Sequence, residues 1–439
     1  MVKRILATLF ALVACWSVVC PSPAWADGDD SRLWLEQARP GTTLNENIDI
    51  ALGLVAAGSS RQVVDQQLAI VAFLYAATGK PGNLEVAKLT VLSHALNKPT
   101  DQWLGAKLPA LASEPASGQF ESPFGLEIHT QSWGIMAKIA TGQPFDAEAK
   151  YLVSRQCPDG SMVADPSHQN CHGGANKAAQ ALALNALAWA QSVAPNYGSA
   201  LTKLTQWHQV ELGRAGLPGS GLAYAAGALA YSGEKALSSQ AVQQLAALKL
   251  TTWQPGAMGG QTKDLADDLV KQQLYPSPSA TAEMIIGLHA TSIPQLHYRP
   301  TTASKPSPKM VVATPVVASG SPIAVLGTGL KPNTSYELKT SSPTSALETR
   351  TTDATGSAKF NPKITLNPGQ YRLSLGTLID HIEVTGQASD PYTDTEDTSA
   401  LLRPPTLSWP TLGSILAAIM AFMVAASLHM SRRNHDDRK

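Results

Sequence analysis

The chain has 439 residues, 33 basic and 33 acidic side chains, and a formal net charge of zero. With no basic block ahead of its last few residues, this balance gives no electrostatic case for nucleic-acid binding. Charged residues are 15% and aromatics 6% of the chain, so what chemistry it carries must sit in a mostly apolar, small-residue framework.

Met1-Val2-Lys3-Arg4, an apolar run to Val19 and the small-residue end Ala24-Trp25-Ala26 have the three parts of a secretory signal peptide over 1–26. Leu12-Val13-Ala14-Cys15 also fits a lipoprotein cleavage box, although the apolar stretch before Cys15 is short for one. Once this segment leaves, Cys157 and Cys171 are the remaining cysteines. Both then lie in a compartment that permits disulfides.

Residues 31–297 are rich in Ala and Leu with helical periodicity, and they repeat. Ser122–Gly142, His172–Gln191, Gly219–Gly233 and Ser277–Ser292 each read as a turn, then small and polar residues, then an apolar helix. Their spacing of about fifty residues suits one helix pair per repeat. More polar helices are expected between them, over Ala147–Arg155, Ser199–Leu212 and Leu237–Leu250. Two earlier helices end at Gly58 and Gly79, the residue type that favours a helix C-terminus. A helix such as Ala183–Trp189, apolar nearly all round, must be enclosed on both sides and belongs to an inner ring. The charged helices form an outer one. The expected fold is mainly α: about five or six helix pairs, closed as an (α/α) toroid or left open as a solenoid.

The segment "QCPDGSMVADPSHQNCHGG", residues 156–174, concentrates the chain's cysteines and histidines. Cys157, His168, Cys171 and His172 are types that zinc accepts, but adjacent Cys171 and His172 are awkward ligands for one ion. A Cys157–Cys171 disulfide is expected and no metal. Such a clip would stabilise by roughly 3 kcal/mol in the chain-entropy model.

Gln156-Cys157-Pro158-Asp159-Gly160-Ser161-Met162 resembles the Gln-x-x-Asp-Gly-Ser-Trp turn of the prenyltransferase and squalene cyclase group of α/α toroids, with Met in the aromatic place. Gln254–Gly260 resembles a second form of that turn, and Thr281-Ala282-Glu283 resembles the start of an inner helix in bacterial triterpene cyclases. The resemblance covers the helical region. It implies a site in the central cavity at the rim where inner helices begin, and candidate lining residues His129, Gln131, Trp133, Asn176, Lys177, Gln180, Tyr224, Thr281 and Glu283. Trp133 and Tyr224 also suit a core, and Asn176 and Thr281 also suit helix caps. The group's catalytic signatures are missing. Asp264-Leu265-Ala266-Asp267-Asp268 has the wrong spacing for the cyclase acid motif, no Asp-x-Cys precedes an inner helix, and neither mature cysteine sits in a thioester motif. No catalytic residue is assigned.

Residues 298–309 read as a linker. Residues 310–386, rich in Thr, Val, Ser and Gly with strand and turn signals, resemble a small bacterial immunoglobulin-like β-sandwich. Residues 387–410 are polar, acidic and Pro-containing, a flexible stalk. Residues 411–430 hold about twenty residues without Lys, Arg, Asp or Glu, long enough for a transmembrane helix, and 431–439 form a basic cytoplasmic tail. The layout resembles surface proteins of Gram-positive bacteria without their Leu-Pro-x-Thr-Gly sorting signal. It places the protein in the cell membrane as a single-pass chain, its N-terminal bulk extracellular.

The expected function is binding of a small molecule or cell-envelope partner by the extracellular toroid, without catalysis and without a cofactor. Toroid followed by β-domain also resembles the architecture of vitamin B12 carriers, so a corrinoid ligand is one alternative. A terpenoid cyclase-like or polysaccharide-acting enzyme is another, and an envelope scaffold or adhesin a third.

Overall fold

Among the described residues six helices are buried over more than half of their length: α2 (Leu44–Ala56), α4 (Asn83–Leu96), α6 (Glu127–Ala140), α8 (Lys177–Val193), α10 (Gly219–Tyr231) and α12 (Pro278–Leu288). In α8 every residue from Ala178 to Ala190 is buried. The helices that alternate with them are α1 (Gly28–Gln37), α3 (Arg61–Thr78), the single turn α5 (Thr100–Leu104), α7 (Asp146–Ser154), α9 (Gly198–Gly213) and α11 (Lys235–Ala246). α9 buries only the stripe Ala200, Leu204, His208, Glu211 and Leu212, as expected of a helix with one face in water. The computed structural model describes residues 28–123, 126–163, 171, 176–248, 277–341 and 344–386. The signal-peptide, stalk, membrane-span and tail segments read from the sequence lie outside them, as do Gln254–Gly260 and Asp264–Asp268. Among the described residues no helix is long and apolar enough to cross a membrane.

The starts of these helices follow from local chemistry. Thr43 caps α2 in a capping box: its hydroxyl accepts the Glu46 N–H, and the Glu46 carboxylate accepts the Thr43 N–H. Asn176 caps α8, and Ser277 caps α12 with Pro278 in the first turn.

The buried helices pack in sequence: α2 on α4, α4 on α6, α6 on α8, α8 on α10, α10 on α12, and α12 back on α2. The six therefore form a closed cycle of contacts. Two glycines set its tightest joins. A Cβ on Gly53 of α2 would stand 2.5 Å from the Ala282 Cα of α12, and one on Gly287 of α12 would stand 2.4 Å from the Ala223 Cα of α10. Backbone touches backbone at both places, so no side chain fits.

Turns before two of these helices share one construction. Gln180 of α8 accepts the Met162 N–H (2.6 Å) and donates to the Met162 carbonyl (2.8 Å). Gln131 of α6 accepts the Phe120 N–H (3.0 Å) and donates to the Gly118 and Glu148 carbonyls. Isolated bridges Gln156↔Met162 and Ser113↔Phe120 close the two turns. Gly160 and Gly118 take positive φ in them, each pressed against the backbone of a following outer helix. Cys157 and Cys171 form a disulfide with Cα atoms 5.8 Å apart.

Beyond the helices, eight strands among the described residues form two sheets. The first has order β1 (Lys309–Val312), β3 (Val325–Thr328), β6 (Ala358–Phe360), all antiparallel. The second has order β2 (Val316–Ala318), β8 (Leu378–Thr385), β7 (Gly369–Leu375), β4 (Ser335–Ser341), β5 (Thr344–Thr351), with β2 parallel to β8. Asp353–Gly356 is the turn between β5 and β6: the Asp353 carboxylate accepts the Thr355 and Ser357 N–H groups. Met310, Val312, Val325 and Phe360 of the first sheet share a core with Leu338, Leu373, Leu375, Ile382 and Val384 of the second. Val311 and Leu326, on the opposite face of the first sheet, belong instead to the helical core. β1 and β3 are thus buried at every position, and the alternation of a one-sided strand is absent there.

Residues 298–308 run along the helices and bond to them repeatedly. The Tyr298 N–H donates to the Ala95 carbonyl (2.7 Å), the Thr301 N–H to the Gly58 carbonyl (2.8 Å), and the Ser60 hydroxyl to the Ser304 carbonyl. Gln66 donates to the Ser307 carbonyl (2.7 Å) and to the Thr328 hydroxyl (3.1 Å).

Gly53→Ala is expected to destabilise the protein by roughly 1–3 kcal/mol, the cost of overpacking a closed seam. Gly213→Ala, where an added Cβ meets nothing within 4 Å, is the control and should be neutral or slightly stabilising. Denaturant unfolding of both variants checks the contrast.

Candidate functional site

Five of the six buried helices, all but α8, contribute one residue of the second turn to a single cluster. Asp49, Lys88, Tyr224 and Glu283 are the sixth residues of α2, α4, α10 and α12, and Trp133 is the seventh of α6. At a rise of about 1.5 Å per residue they occupy one level, roughly 8 Å from the helix starts. The Lys88 ammonium lies 2.8 and 3.0 Å from the two Asp49 carboxylate oxygens and 5.5 Å from the centre of the Trp133 ring. The Trp133 and Tyr224 rings meet edge to face at 6.4 Å. The Tyr224 hydroxyl donates to Glu283 at 3.2 Å. Trp133 and Tyr224 belong to helices that α8 separates in the cycle, so their contact runs through its interior.

Burial decides the electrostatics. Asp49 and Lys88 are 5% exposed, a closed ion pair whose attraction offsets the desolvation of both groups. Burial raises the Asp49 carboxyl pKa, and Lys88 opposes the rise. Glu283 is half-buried and has no cation of its own. Removal from bulk water, then repulsion by Asp49, push its pKa up to about 7 against the pull of Lys88 and the Tyr224 hydrogen bond. His129, half-buried one helical turn before Trp133, is lowered to about 4 by burial and by Lys88, so its ring is neutral at neutral pH. Burial and the two carboxyl groups raise Tyr224, which keeps its hydroxyl protonated. Two buried nitrogens here have no hydrogen-bond partner: Trp133 Nε1, on a residue with no exposed surface, and His129 Nδ1. Buried polar atoms ordinarily find partners, which sets these two apart from the other polar atoms of the cluster.

Of the nine residues expected to line a cavity, the structure brings together four: His129, Trp133, Tyr224 and Glu283. The others have structural partners. Gln131 and Gln180 clasp the turns, and Asn176 is the α8 cap. Lys177 donates to the Gly216 carbonyl and pairs with Glu211 at 3.2 Å. Thr281 is fully buried within α12. The sequence reading missed Asp49 and Lys88. Each is the one charge in the apolar middle of its helix, "NIDIALGL" and "VAKLTVL", a visible signal once the helix is known to be apolar all round.

A second, aromatic cluster lies near the other helix ends, where His94 stands 5.8 Å from the Trp189 ring and 5.7 Å from the His297 ring. His94 and Ser93 line an open cavity of about 520 Å³ with residues 97–100 and 107–111. Among the described residues no three His, Cys, Asp or Glu side chains stand together as a metal site.

Two outcomes test these assignments. Lys88→Met should destabilise the protein by about 3–5 kcal/mol, because it leaves Asp49 buried without its cation. Glu283 binds its proton more tightly folded than unfolded, so the stability it contributes is present below about pH 4.5 and lost as pH rises through about 7. Glu283→Gln should therefore gain on the wild type across that window, by about 2 kcal/mol at pH 8 after allowance for partial exposure. Chemical denaturation at several pH values measures both. Scanned against protein-family models and against curated proteins, the chain finds no match in either.

Proposed function

We propose that residues 31–297 are a closed α/α toroid of the kind found in the prenyltransferase and squalene cyclase group, and that its central chamber binds a small ligand. The observation that carries the reading is the convergence of Asp49, Lys88, His129, Trp133, Tyr224 and Glu283 inside the cycle, with two buried nitrogens left without partners. A ring filled for stability alone would be apolar there, since ion pairs and orphaned donors are poor sources of stability. The unbroken sequence of helix contacts and the repeated glutamine clasp support the toroid. Two sheets around one core support a small β-sandwich of immunoglobulin-like type in residues 310–386.

The setting we propose is an extracellular bulk held at the cell membrane, a reading supported by the signal-peptide pattern of residues 1–26 and the apolar composition of residues 411–430. Lodging of a ligand between the helices and the β-sheets, as in a corrinoid carrier, is less well supported. The cavity there, between residues 37–42, 308–312 and 377–380, holds about 300 Å³, the lower end of the range for ligand pockets. An enzymatic reading has one observation in its favour, a Glu283 carboxyl that exchanges its proton near neutral pH. It is distinguished from binding by whether the ligand leaves changed.

Native mass spectrometry of the full-length chain in mild detergent is the test. A small molecule that co-purifies with the wild type and is lost from Trp133→Phe is the expected result. A bare protein whose Trp133→Phe variant is as stable as the wild type would overturn the reading.

A further inference from the structure

We infer that the chamber is built for a small amine that also carries an oxygen acceptor, its ammonium group seated between Glu283 and the Trp133 and Tyr224 rings. The inference rests on the ligand-binding reading above and adds the ligand's chemistry. Three observations carry it.

The first is the count of charges. Among the described residues the cluster holds two carboxyl groups, Asp49 and Glu283, and one lysine, Lys88. Lys88 is committed to Asp49 through two contacts of 2.8 and 3.0 Å. Among the described residues Glu283 has one partner, the neutral Tyr224 hydroxyl. An anionic ligand would face two carboxyl groups, and a neutral one would leave Glu283 uncompensated. A cation completes the set.

The second is the wall. The aromatic rings of Trp133 and Tyr224 meet beside Glu283, and Trp133 already faces the Lys88 ammonium. Ring faces attract cations most strongly where water is excluded. The third is the unpartnered Trp133 Nε1–H, fully buried. An ammonium cannot accept from it, but a hydroxyl or carbonyl oxygen on the same ligand can. Glu283 and His129 are the two members of the cluster with part of their surface open, and His129 stands nearer the helix starts, so the open side is that end.

The pH dependence has a definite sign. The groups acting on Glu283 are Asp49 from α2, Lys88 from α4 and Tyr224 from α10, with His129 of α6 beside Lys88. α1 and α11, which also pack on α12, add none. Below about pH 7 Glu283 holds a proton that the ammonium must displace. Affinity for an amine that stays charged should therefore fall about tenfold between pH 8 and pH 6.

The experiment titrates the full-length chain in mild detergent with ethanolamine, ethylene glycol and glycolate, which are cationic, neutral and anionic probes of similar size, and follows heat and Trp fluorescence. The expected result is saturable ethanolamine binding at least tenfold tighter than either of the others at pH 8, weaker by about tenfold at pH 6. Glu283→Gln should lower the pH 8 affinity by tenfold or more and remove the pH dependence. Ethylene glycol or glycolate binding as tightly as ethanolamine would overturn the inference and leave the ligand-binding reading standing, as would ethanolamine binding that ignores pH and Glu283→Gln. No binding by any probe, together with a bare protein in native mass spectrometry and an unperturbed Trp133→Phe variant, would overturn both.

Discussion

The approach of α12 to α2 at Gly53 and Ala282 is the constraint on which the helical region depends. Without that join the helix pairs would be an open stack, with Asp49 at one end and Glu283 at the other. With it, residues nearly as far apart as the helical region is long join one network of contacts. A backbone-to-backbone seam tolerates no side chain, so the helices at this join are held at a fixed spacing. The polar groups inside therefore face one another at set distances, and the unusual protonation states of Glu283 and His129 follow from that enclosure.

Much of this architecture is legible in the sequence, because its signals are local. Apolar helices ending in glycine, polar helices between them, and the Asp353–Gly356 turn all depend on residues close in the chain. The helices α6, α10 and α12 fall within the repeats read from sequence, α8 overruns its repeat by two residues, and α7, α9 and α11 lie close to their expected spans. The disulfide is also as expected. α4 escaped notice because its turn residues, "GKPGN", lack the Asp-Gly-Ser form of the later repeat, and Lys88 went with it.

The site was half legible for a physical reason. Proximity to the start of an inner helix selects both residues that face the interior and residues that face the preceding turn. Gln131 and Gln180 are of the second kind: their amides match a backbone N–H and C=O together, which a turn offers and a chamber does not. Trp133 lies two positions after Gln131, about 200° around the helix, and so points the other way. Helical phase relative to the turn, rather than distance from the helix start, separates the two roles.

β1 and β3, buried on both faces, join regions of different composition. Composition changes near residue 309 as it would at a border between independent domains. Yet Val311 and Leu326 complete the helical core while Met310, Val312 and Val325 complete that of the sheets. Val311 and Leu326 thus tie the two cores together: displacing β1 or β3 uncovers apolar surface in both. Residues 31–386 therefore have the composition of two domains and a core that runs across the border between them.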